Sequence, residues 1–72
     1  MLVSGDAAGA ADQAQQALQS NPQDFLGFER LGDARAAQKL NPDAAKAYKS
    51  ALDLKPERED RKRIEDKLKK VR

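Results

Sequence analysis

The chain has 72 residues, the size of one small domain with a single thin core; 36% of them are charged, yet the net charge is only +2. It contains no cysteine and no histidine, which excludes disulfides, thiol nucleophiles and thiolate metal sites and removes both the commonest general base and the commonest zinc ligand. A mean hydropathy of −0.89 would suit disorder, but Ala, Leu, Gln, Lys, Arg and Glu are strong helix formers and the apolar positions are periodic, so the chain reads as all-α with about four helices.

Met1-Leu2-Val3 is too short for a signal-peptide core, and no apolar run is long enough to span a bilayer. A cytoplasmic location without membrane attachment is the expectation. Ser4 to Ser20 is rich in Ala and Gln, with Ala7, Ala10, Ala11, Ala14, Ala17 and Leu18 at helical spacing. The spacing predicts a helix over 5–20, entered through a turn at Gly5-Asp6. Ser20-Asn21-Pro22-Gln23-Asp24 is a turn cluster, and Asn21 or Asp24 can cap the helix that follows.

Phe25, Leu26, Phe28 and Leu31 then recur at helical intervals, and Ala44, Ala45, Tyr48, Ala51 and Leu52 do so again. Between them, Asn41-Pro42-Asp43 reads as a helix start: Asn41 as N-cap, Pro42 at the first helical position, Asp43 complementing the dipole. The earlier helix should end near Gln38 or Lys39, because the residue before a proline is biased out of the α region. So short a link makes the two helices antiparallel. Lys55-Pro56-Glu57 is the next break, and 57–72 reads as a last helix with acids in its first turn and Lys69, Lys70 and Arg72 in its last. Only Ile64, Leu68 and Val71 give it an apolar stripe.

A glycine inside a good helix costs roughly 1 kcal/mol relative to alanine, so Gly32, beside Leu31 on the apolar face, points to a close approach of two helix backbones. Phe28, Leu31, Gly32, Ala44, Tyr48, Ala51 and Pro56 stand in the order and spacing of a tetratricopeptide repeat, and Phe25 to Arg58 resembles one such repeat of about 34 residues. A shift by that length maps Ala10 onto Ala44, Ala17 onto Ala51, Leu18 onto Leu52 and Pro22 onto Pro56, although Ala14 stands opposite Tyr48 and Arg35 replaces the aromatic the family pattern expects. The resemblance implies a right-handed solenoid of antiparallel helical hairpins in a single domain: the second helix of a truncated repeat (5–20), one complete repeat (25–58) and a capping helix (57–72). Forward from Phe28, Leu31 and Gly32 the shift lands on Lys62, Glu65 and Asp66, which end the signature, as a cap at the C-terminal end of a longer array would.

The function implied is a non-catalytic scaffold that holds a protein or peptide partner, without cofactor or metal. Adjacent carboxylates such as Glu59-Asp60 and Glu65-Asp66 point about 100° apart on a helix and do not converge, and the four glycines form no phosphate loop, so no enzyme is expected. Family arrays line a concave groove with the first helix of each repeat. Here that row would be Leu26, Glu29, Asp33 and Ala36, acidic where the family's carboxylate clamp needs basic and amide groups, which favours a basic or apolar partner segment. Two alternatives stand beside this: a homodimer formed through an uncovered face of Ala7, Ala11, Ala14 and Leu18, and a designed or truncated scaffold without a native ligand. Residues 57–72 carry eight basic side chains against five acidic ones. No aromatics interleave with them, so a solvated helix is favoured over a nucleic-acid surface.

Overall fold

In a computed structural model, residues 3–71 are described, with side chains from Ala7 onward. Four helices follow one another: α1 (Val3–Ser20), α2 (Phe25–Ala37), α3 (Asn41–Asp53) and α4 (Arg58–Val71). Each packs on its neighbour in sequence, and the described residues contain no strand.

The first helix starts earlier than its sequence suggests. Gly5-Asp6 lies inside α1 and makes no turn, because the surrounding alanines favour helix strongly enough to absorb two glycines. Asp24 closes the next link as anticipated: it is extended at φ −92° and ψ 101°, and its Oδ1 accepts the Leu26 N–H at 3.0 Å. That cap satisfies one of the orphan N–H donors of the α2 N-terminus.

The link between α2 and α3 differs from the expected Asn41 cap. Lys39 takes the left-handed conformation (φ 62°), which lets its N–H donate to Ala36 O and the Leu40 N–H reach back to Arg35 O, both at 2.9 Å. The chain is thereby reversed so tightly that α3 already begins with the Leu40 carbonyl accepting from Ala44 N at 2.9 Å. Asn41 and Pro42 are thus the first helical residues and Leu40 the cap, with no side-chain hydrogen bond. Pro42 is tolerated because N–H groups of the first turn have no helical partner anyway. Lys55 (φ 57°) ends α3 in the same left-handed way before buried Pro56 turns the chain into α4.

The core lies among α2, α3 and α4. Ala44, Tyr48, Ala51, Ile64 and Leu68 form its buried centre, with Phe25, Phe28, Ala36, Leu52 and Val71 packed around them. Gly32 is needed there, but not for a contact of two backbones: a Cβ at that position would sit 2.5 Å from Cε1 of Tyr48, so what approaches the α2 backbone is an aromatic ring of α3. At the α1/α2 crossing Gly27 plays the same part, where a Cβ would come within 2.8 Å of a Leu18 methyl. Apolar burial is the main favourable term in both contacts, and the second contact has much less of it.

Candidate interaction surfaces

Among the described residues Glu29 is the only buried charged one, 5% exposed. Its carboxylate accepts from Arg63 Nε and Nη2, both at 2.7 Å, in a two-pronged pair, and from Lys67 Nζ at 2.7 Å. Lys67 also reaches Asp33 at 3.0 Å, Asp33 accepts the Tyr48 hydroxyl at 2.6 Å, and Arg63 holds Asp60 at 2.8 Å. The Arg63 hydrogen bonds hold the Glu29 carboxyl at about 2 against the opposing effect of burial, with Lys67 adding to the lowering. Burial, then the hydrogen bond to Asp33, pushes the Tyr48 hydroxyl well above its ordinary value. For Lys67 burial works against the charge, but the bonds to Glu29 and Asp33 outweigh it and its pKa rises.

This network also fixes how two helices lie. Glu29 meets Arg63 and Asp33 meets Lys67, and each pair is 34 positions apart in the chain. Since both partners advance together, α2 and α4 run side by side in the same direction, in register at that step. The sequence carries a signal for it that composition hides: the shift that sets Ala10 over Ala44 also sets Glu29 over Arg63 and Asp33 over Lys67, acid over base, twice, four residues apart.

The four residues of the expected concave row are therefore not equivalent. Leu26 is open to solvent at 42%, and Asp33 is exposed although bonded on both sides. Glu29 is occupied by α4, and Ala36 is half-buried against the core. The repeat-signature residues gather at the core: Ala44, Tyr48, Ala51 and Pro56 are buried, Gly32 lies under Tyr48, and Phe28 packs against the cluster, whereas Leu31 lines a second, smaller cleft of about 300 Å³ between α2 and α3.

The face expected to be uncovered on α1 differs more. Ala11 is fully covered and Ala14 nearly so, and Leu18 is half-buried over Gly27. The helix has turned its Ala11 and Leu18 side inward, because Gly27 leaves room for Leu18. What stays open is a groove of about 520 Å³ between α1 and α2. Ala7, Ala10, Gln13, Ala14 and Ala17 line it from α1, and Gly27, Ala34 and Ala37, with the polar Asp24, Arg30 and Asp33, from the α2 side.

Among the described residues no cluster of three or more His, Cys, Asp or Glu could hold a metal ion, and no helix is long and apolar enough to cross a membrane. Every buried side-chain nitrogen and oxygen among them has a hydrogen-bond partner. Compared with known proteins, the chain matches no family model, no curated protein and no solved structure.

Proposed function

We propose that this chain is a non-catalytic protein-interaction scaffold that stacks its helices as tetratricopeptide repeats do, and that its partner is a protein or peptide. The observation that carries the reading is the pairing of Glu29 with Arg63 and Asp33 with Lys67 at a constant 34-residue step, the length of one such repeat. Gly32 beneath Tyr48 supports it, since both are signature positions of that repeat. A unit that repeats along an axis leaves open surfaces between successive helices, and such surfaces suit binding of extended or helical segments.

Two measurements test it. Inserting a second copy of residues 25–58 after Arg58 adds one unit to a stack whose stability is a sum of neighbour terms, so the longer protein should fold and melt higher. A protein that unfolds or aggregates on this insertion is not a repeat. Affinity capture with the chain from its own cells, in parallel with Leu26→Arg, should retain a partner that the variant loses. If nothing bound depends on Leu26 or its neighbours, the scaffold role falls.

A further inference from the structure

The cleft of about 300 Å³ between α2 and α3 is walled by those two helices, and Gln15 of α1 also reaches its lining. Phe28 and Leu31 of α2 and Ala47 of α3 give it an apolar surface, and Arg35 and Lys46 add two cations. Among the described residues neither cation is in an ion pair. Arg35 donates from Nη1 to Gln38 Oε1 at 3.2 Å, at the end of its own helix, and Lys46 is exposed. Asp43 is the one acid of the lining. It sits in the first turn of α3, where the helix dipole offsets its charge.

The lining is apolar toward one end and cationic toward the other. The link 38–40 turns α3 back along α2, with Gly32 under Tyr48, so Phe28 lies toward Ser50 and Arg35 toward Lys46 and Asp43. From Leu31 to Arg35 the helix rises about 6 Å. That nearly equals the roughly 6.6 Å between alternate residues of an extended strand, whose side chains point to one face. An extended segment along the cleft thus presents an apolar side chain to Phe28, Leu31 and Ala47 and, two residues away, an acid to Arg35 and Lys46. Both cations can then make charge-assisted hydrogen bonds to it. The Gln15 amide and the Ser50 hydroxyl, also on the lining, can bond the segment's backbone. The volume is at the lower end of ligand pockets, room for side chains rather than for a whole helix.

We propose that this cleft binds an extended acidic segment of a partner protein, in which a bulky apolar residue and an acid stand two positions apart. The inference rests on the scaffold reading for a peptide, rather than a free acid, as the source of the carboxylate. It concerns a surface distinct from the groove between α1 and α2, and α1, α2 and α3 supply all of its lining.

The probe is the peptide Gly-Glu-Ser-Phe-Ser-Glu-Gly, acetylated and amidated, whose acids flank the Phe so that either chain direction is served. It is titrated into the isotope-labelled full chain at physiological salt and followed by amide chemical shifts. Shifts should concentrate at Gln15, Leu31, Arg35, Lys46 and Ser50 and half-saturate below about 1 mM. Replacing both Glu of the peptide by Gln, or its Phe by Ala, should weaken binding at least about fivefold. In the chain, Lys46→Gln at an exposed position should weaken it about fivefold as well, with circular dichroism and melting unchanged. Half-saturation above about 1 mM, shifts centred outside the cleft, or binding indifferent to the Gln peptide or to Lys46→Gln overturns the proposal. So does phenylpropionate binding as tightly as the peptide, since a free acid would then be the occupant. A partner captured by the chain and lost on Leu26→Arg, beside a peptide that does not bind, sinks this inference alone and leaves the scaffold reading standing.

Discussion

Between α3 and α4 the interior is filled by Tyr48, Ile64 and Leu68; between α1 and α2, one step of 34 residues earlier, the corresponding places hold Ala14, Arg30 and Ala34. The helices are the same kind of element at both junctions, so the difference is one of side-chain volume and charge. Cohesion follows the volume. Each large buried apolar side chain contributes roughly 1.5–3 kcal/mol, and the α2–α4 half has most of them, whereas α1 is held by small residues and by Leu18 over Gly27. A close-packed half thus carries the stability of the molecule, and the half that gives it up keeps an open groove.

The largest test of that contrast compares one large residue from each junction. Ile64→Ala empties a fully buried site and should cost about 3 kcal/mol in urea denaturation, whereas Leu18→Ala, half-exposed at the other junction, should cost roughly half as much. Equal losses would mean that the two junctions share the load. Next in size is Gly32→Ala. Three ring atoms of Tyr48 lie within 2.9 Å of the new methyl, and the ring is pinned by its 2.6 Å bond to Asp33, so a net loss of about 1–2 kcal/mol is expected despite alanine's better helix propensity. A rise in melting temperature would show that Tyr48 moves aside freely.

The charged strap between α2 and α4 gives a smaller effect with a distinctive pH dependence. Glu29 has its pKa lowered on folding from 4.5 to about 2, so the ionised form is favoured in the native state. Its contribution is present in full above the unfolded value and is lost as the pH falls through about 4.5 toward 2. Glu29→Gln should cost on the order of 1 kcal/mol at neutral pH, since both basic partners are partly solvated, and should flatten the acid limb of the stability curve. An acid limb unchanged by the substitution would assign it to other carboxylates. The smallest expected effect is a gain. Gly9 in α1 has nothing within 4 Å of a would-be Cβ, so Gly9→Ala should stabilise by about 0.5–1 kcal/mol. Read by amide exchange, that gain should fall on α1 and leave α3 as it was.

How legible these features were depended on how local their causes are. The Asp24 cap and the helical character of all four segments follow from interactions within a few residues, and Gly32 announced a close neighbour because it is costly in a helix. Asn41 misled because a strong N-cap residue beside a proline was set against a left-handed Lys39, whose backbone bonds to Ala36 and Arg35 decided where α3 begins. Glu29 misled for another reason. It reads as an acid on a groove-lining row, open to a basic partner, until Arg63, far along the chain, closes on it.

From its residues alone, this protein was bound to be a chain of short helices with a hairpin at its centre, since apolar period, proline and capping chemistry act over a turn or two. Only the packed arrangement decided that α1 turns Ala11 inward, that acids of α2 pair with bases of α4, and that a groove stays open beside Ala10 and Ala17. Those outcomes depend on which side chains meet across space, where volume and charge are matched between segments that the sequence holds far apart.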